Sequence, residues 1–255
     1  MIDTRKGLGI LVLILLLTPC LSAVDAPFSM PVSTVVLDAG HGGHDPGAVA
    51  EHRWNGTTVL QEKVIVLDIT LQTAELLRHW YPDLQVVLTR DDDTFLSLRE
   101  RTDRVVHTNP GVDQMTLLVS IHANSSPVAS ASGFELLVKQ SDIRVRFLDQ
   151  ETPAWAIFRY ATHTVGELNQ MLNQANFLFA SRIRNRLKEE FPEMRDRGIK
   201  EQDVWILNAS KSPSVLVEIG FMSNEQEARK LTDPAWQARM ALAIARGIAD
   251  SLGAR

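Results

Sequence analysis

Apolar and polar positions follow two rhythms along this chain. Residues 34–38 form a short β-branched and apolar run, the mark of a buried strand, and 84–88, 116–121, 133–138, 204–207 and 214–217 read the same way. Helical spacing lies between them. Val64, Leu67, Leu71, Ala74 and Leu77 recur every three or four residues, which predicts a helix over 61–80, ended by Tyr81-Pro82-Asp83. Ser97 followed by Glu100 is a capping box that opens a helix reaching about His107. Leu178, Phe179, Ile183 and Leu187 share one face of a helix over 175–191. Ser223 with Gln226 is a second capping box, for a short helix to Leu231. Asp233-Pro234 is an N-cap and first-turn pair for a last helix with Trp236, Met240, Ile244, Gly247 and Ile248 on its core side.

Residues 50–60 and 195–202 read as polar loops. Residues 139–173 keep no clean period, although 153–172 could form a helix with an apolar face; a segment this long is often functional. Strands and helices alternate, so the expected fold class is α/β, with a mixed or mainly parallel sheet flanked by helices. No repeat, low-complexity run or linker divides residues 24–255, so a single domain is expected there.

Composition narrows the function classes. Of the 255 residues, 45% are hydrophobic and 22% charged, as in an ordinary globular protein. The formal net charge is -5 and no basic run occurs, so nucleic-acid binding has no support. Arg5 and Lys6 precede an apolar run over 8–17, followed by Thr18-Pro19-Cys20-Leu21-Ser22-Ala23, the layout of a secretory signal peptide over 1–23. The run is short for a bilayer span. Cleavage near Ala23 is favoured over an uncleaved anchor, and Pro19 fits poorly before a lipidated Cys20. The expected location is periplasmic or otherwise exported. Cys20 is the only cysteine, so a chain cleaved there has no thiolate nucleophile, and His, Asp or Glu must hold any metal.

The candidate chemistry gathers where strands end. The first strand runs into Gly40-His41-Gly42-Gly43, a glycine density that allows positive φ and close backbone approach to a bound group. Taken alone, that loop is equally a surface turn containing histidines. Two later strands, however, also end in polar groups, His122 and Glu218, and ligands of open α/β sheets bind at the carboxyl ends of strands. Glu62 enters from the first turn of the following helix, where an acid also suits the helix dipole. Two histidines and one carboxylate suit a catalytic zinc site with an open position for water. A second carboxylate is then needed to take the water's proton and pass it on. Glu218 lies inside the apolar stretch Val215-Leu216-Val217-Glu218-Ile219-Gly220-Phe221, where an unpaired acid is costly; a structural acid paired with an arginine is the alternative. Asp38 either orients a ligand histidine or closes the loop, and His44 is near enough to support the site from behind. His52, His79, His107 and His163 read as ordinary loop or surface residues.

The chain resembles the zinc-dependent N-acetylmuramoyl-L-alanine amidases of the Amidase_3 type. The matching stretches are VVLDAGHGGHDPGA (35–48), QEK (61–63), LTRDDD (88–93), LSLRER (96–101), SIHAN (120–124), GFELLV (133–138) and VLVEIGFMSN (215–224), in the family's order. The Ala-Asn that often follows the LxxR segment is replaced by Val105-Val106-His107. The resemblance implies one zinc ion held by His41, Glu62 and His122, with Glu218 as the catalytic carboxylate. It implies cleavage of peptidoglycan at the amide between the lactyl group of N-acetylmuramic acid and the L-alanine of the stem peptide, in cell-wall remodelling and daughter-cell separation. It also implies a twisted sheet flanked by helices. Some members carry an insertion that covers the site until a partner protein removes it. Residues 139–173 occupy that place, so a lid is expected there, with Glu151 or Glu167 reaching the metal and an activator protein acting on the segment. A surface excursion is the alternative. A monomer is expected. The competing functions are a zinc peptidase on other cell-wall peptides and a non-catalytic wall-binding protein.

Overall fold

The computed structural model describes residues 27–252, apart from 55, 109, 112, 151 and 153. The expected signal peptide and Glu151 lie outside the described residues.

Six strands form one mixed sheet. In chain order they are β1 (Val32–Ala39), β4 (Gln85–Leu88), β5 (Met115–Asn124), β6 (Phe134–Lys139), β7 (Asp196–Gln202) and β8 (Ser214–Phe221). Their spatial order is β4-β1-β5-β8-β6-β7. The first four in that order are parallel. β6 runs antiparallel to β8, and β7 runs parallel to β6. A separate hairpin of β2 (Val49–His52) and β3 (Thr58–Gln61) occupies the stretch expected to be irregular.

Seven helices complete the described chain: α1 (Glu62–Trp80), α2 (Leu98–Val106), α3 (Ala154–Tyr160), α4 (Val165–Glu190), α5 (Trp205–Ala209), α6 (Glu225–Leu231) and α7 (Pro234–Ala249). α1, α4 and α7 cover one sheet face, burying Ile69, Leu77, Ile183 and Ile244 against Leu117, Val119 and Val217. α4 and α7 cross so closely at Gly247 that a Cβ there would stand 2.5 Å from the Ile183 Cα. On the other face, α2 and α5 cover Val36, Leu118 and Leu216 with Val105, Ile206 and Leu207. This second cover is short. It leaves the carboxyl ends of the central strands open on that face.

Several expectations are corrected. The buried face of α1 is Ile65, Val66, Ile69, Thr73, Ala74 and Leu77, while Val64 is half exposed. The helix is apolar on more than one side, and the sheet selected the side whose threonines bond back to their own helix, Thr70 to Val66 O and Thr73 to Ile69 O. Leu178 likewise points outward from α4. Residues 196–202 form the edge strand β7 despite their charges, which suit an edge. Residues 205–209 are a helical turn instead of a strand. The cap of α6 is Asn224, whose Oδ1 accepts from the Gln226 and Glu227 amides; Ser223 instead accepts from the Ser126 amide.

The aperiodic segment 139–173 contains α3 and the start of α4. Because β6 is antiparallel, the chain leaves the sheet at Lys139 beside the amino ends of β5 and β8, away from His122 and Glu218. There Phe147, Tyr160, Leu168 and Leu172 pack with Phe28 in a small core of their own. Arg159 donates to Gln114 O just before β5, and Tyr160 to Lys211 O just before β8. The described part of the expected lid therefore lies at the opposite end of the sheet from His41. Glu167 closes a capping box with Thr164 and does not approach the histidines.

Candidate metal and catalytic site

His41 stands at the tip of the loop after β1 in a left-handed conformation, φ 60°, among Gly42, Gly43 and Gly47, which also have positive φ. A non-glycine residue there is strained and persists only where its surroundings hold it. Two buried arginines do so. Arg101 donates to Ala39 O (2.6 Å) and to His41 O; Arg90 donates to Ala39 O (3.0 Å) and Gly40 O (2.7 Å). Asp38 anchors Arg101 at 2.7 Å and accepts from Thr89 and Ser120. Asp38 is thus the acid that closes the loop, and no histidine is its partner. Burial works against its ionisation, but Arg101 and the two hydroxyls outweigh burial and hold its carboxyl below the usual range.

Asp45 takes the orienting role. Its Oδ2 lies 2.8 Å from His41 Nδ1, and its Oδ1 accepts from the Gly47 amide. In the sequence Asp45 is one more polar residue of the glycine-rich stretch 35–48, with nothing local to tie it to His41. His44 packs on Phe95, ring centroids 4.0 Å apart. His52 reaches Met222 O from the hairpin, and His79 and His107 are exposed.

Glu62, the first residue of α1, is buried between both histidines. Its Oε2 lies 3.1 Å from His41 Nε2, and its Oε1 lies 2.9 Å from His122 Nδ1. The backbone amides of Ala48 and Ala123 donate to the same two oxygens. One ligand atom from each of His41, Glu62 and His122 can be chosen with all three within 4.8 Å of one another. Burial opposes every charge here. Even so, the two histidines keep Glu62 well below the usual carboxylate range, and Glu62 with Asp45 raises His41 to about 8. His122 is raised for the same reason, through Glu62. The cradle is tight: a Cβ on Gly40 would stand 2.3 Å from His122 Cε1, and one on Gly47 would stand 2.7 Å from Glu62 Oε2.

Glu218 is register-paired with His122 across β5 and β8, so both side chains rise from the thinly covered face. Its Oε2 is buried without a hydrogen-bond partner among the described residues. Burial, reinforced by the charges of Glu62 and Glu135, outweighs the pull of the histidines and pushes it up to about 7. The arginine partner of the alternative reading is absent among the described residues: Arg197 pairs with Glu135 on the neighbouring strand. Beside the cluster lies a groove of about 380 Å³ lined by Phe95, Leu98, Val204 and Ile206 together with His41 and His122.

The donor set of two imidazoles and one carboxylate is that of a borderline cation such as Zn²⁺, and the amide-fixed Glu62 and Asp45-oriented His41 fit the group. The fold and the site together define a single-domain α/β protein with a candidate metal centre at the carboxyl edge of its sheet. A family model described as N-acetylmuramoyl-L-alanine amidase, Amidase_3, matches residues 35–250. The uncharacterized protein YqiI of Bacillus subtilis (strain 168) is 35% identical over 243 residues, 95% of each chain. The N-acetylmuramoyl-L-alanine amidase AmiA of Escherichia coli (strain K12) is 32% identical over 228 residues, 84% of this chain and 74% of that one. The solved structure of the N-acetylmuramoyl-L-alanine amidase AmiC2 of Nostoc punctiforme superposes with a TM-score of 0.63 at 29% identity, covering 85% of this chain and 95% of the other. The chain belongs to the Amidase_3 family of N-acetylmuramoyl-L-alanine amidases.

Proposed function

We propose that the protein is an exported zinc-dependent amidase that hydrolyses the bond between N-acetylmuramic acid and L-alanine in peptidoglycan, in remodelling of the cell wall. The observation that carries this reading is the pairing of Glu218, with its unpartnered buried Oε2, and the His41–Glu62–His122 cluster one strand away.

His41, Glu62 and His122 would hold the ion, one per chain. When bound, it supplies Lewis-acid polarisation of the scissile carbonyl and lowers the pKa of water. The remaining work belongs to the chain. Asp45 fixes the ring of His41 through Nδ1, leaving Nε2 directed at Glu62 and the cluster. The amides of Ala48 and Ala123 fix the Glu62 carboxylate. The Glu218 carboxylate takes a proton from the attacking water and returns it to the departing amine. Burial raises the Glu218 carboxyl above the usual range in the metal-free chain, which favours the protonated form it must hold between the two transfers. The adjacent groove receives the substrate along an apolar wall.

The test is digestion of purified peptidoglycan with and without a chelator, read by mass spectrometry for stem peptides with a free N-terminal L-alanine. Chelator-sensitive release that Glu218→Gln abolishes is the expected result. Release of peptides cut elsewhere, or no release by folded, zinc-loaded protein, overturns the reading.

A further inference from the structure

The row of polar side chains on the open sheet face does not stop at Glu218. Glu135 on β6 is register-paired with Glu218 and is buried. Its Oε1 accepts from Asn124 Nδ2 at 2.9 Å; its Oε2 accepts from Arg197 Nε at 2.8 Å and from Lys200 Nζ. Two cations therefore meet one carboxylate. Of the other acids nearby, Asp196 is held by Arg184 and Glu201 accepts from Ser141. Glu227 on α6 also attracts Arg197, but its two oxygens accept from the amides of Gly133 and Phe221. Arg197 lies over the Phe221 ring, 4.8 Å from its centroid, so its guanidinium is fixed in place. The Arg197 and Lys200 side chains are 24% and 43% exposed. The result is a pair of cations held in place and partly open to solvent, at the end of the row that begins at the metal cluster.

Neighbouring strands are spaced roughly 4.8 Å apart, which puts the backbone of β7 about 10 Å from that of Glu218. An extended peptide covers that distance in about three residues. We propose that Arg197 and Lys200 form a subsite that reads a carboxylate on the peptide released by the reaction, within about three residues of the scissile amide. Lys200 has two further ammonium protons beyond the one given to Glu135, and Glu135 holds both cations in register with the site. The inference rests on the amidase reading and adds a specificity determinant to it.

The experiment is steady-state kinetics of the full, zinc-loaded chain on two soluble muropeptides that differ at one group: the carboxylate of the second peptide residue is free in one and amidated in the other. The wild type is expected to favour the free acid. Lys200→Gln is expected to raise KM for the free acid roughly tenfold, the worth of one charge-assisted hydrogen bond, with kcat held and the amidated substrate unaffected. Lys200→Arg is expected to restore the preference, and the unfolding temperature of each variant should match the wild type. Equal losses on both substrates, or a wild type indifferent to amidation, overturns the subsite while leaving the amidase reading standing. A wild type that cleaves neither substrate overturns both.

Discussion

Glu218 stands directly across the β5–β8 pairing from His122, yet its Oε2 is sealed from solvent with no hydrogen-bond partner among the described residues. A carboxylate left this way raises the energy of its own ionised form. Folding alone gives no reason to keep it.

The Glu218 carboxyl therefore predicts opposite effects on activity and stability. Its folded pKa, about 7, is above the ordinary 4.5, so between those values the folded state binds more protons than the unfolded state. Stability falls as pH rises through that window. Glu218→Gln removes the loss. In chelator-treated protein, thermal unfolding at pH 8 should show the variant more stable by on the order of 1–3 kcal/mol, with little difference at pH 4.5. Amide release should fall at least about a hundredfold, as for loss of a general base. A variant no more stable than wild type at pH 8 would contradict the burial argument.

The Asp38–Arg101 pair behaves in the reverse sense. The side chains are 2% and 5% exposed, and Asp38 is held below its usual 3.8. Its contribution is fully present above that value and is lost as pH falls through the lower, folded pKa. Asp38→Asn leaves Arg101 buried without its counter-charge. Urea unfolding at pH 7 should show a loss of about 3–5 kcal/mol. Because Arg101 also holds the carbonyls of Ala39 and His41, metal uptake should weaken in the same variant.

Gly40→Ala should separate fold from metal binding. The backbone at Gly40 is not in the left-handed region, but the new Cβ would stand 2.3 Å from His122 Cε1 and turn the ring out of the cluster. Far-ultraviolet circular dichroism should match wild type, while elemental analysis of the purified variant finds well under one zinc per chain. Full zinc occupancy would show that His122 is dispensable.

Asp45→Asn leaves His41 in place and removes its charged partner at Nδ1. Zinc affinity, measured by competition with a chromophoric chelator at pH 8.5, should fall about 10- to 100-fold, the usual effect of losing a carboxylate behind a ligand histidine. An unchanged affinity would mean that the loop, held by Arg90 and Arg101, orients the ring by itself.

The central strands, the capped helices and the convergence of candidates were legible in the order of residues alone. β1, β5 and β8 are apolar runs that must be buried, and each ends in or leads to a candidate residue, so burying the runs brings His41, His122 and Glu218 to one edge. The caps of α2 and α7 are local hydrogen bonds, legible from four or five residues. Features that depend on a partner distant in the chain emerged only on folding. β7 is a strand because β6 offers it an edge; its own charged residues carry no strand period. Which side of α1 is buried was settled by the sheet it lies on. The reversal of β6 sent the described part of 139–173 to the far end of the sheet, and no local pattern encodes strand direction. Asp45 behind His41, and Arg197 with Lys200 on Glu135, have the same origin: a turn acid and two edge cations become part of a site only when folding puts a specific atom within hydrogen-bonding reach.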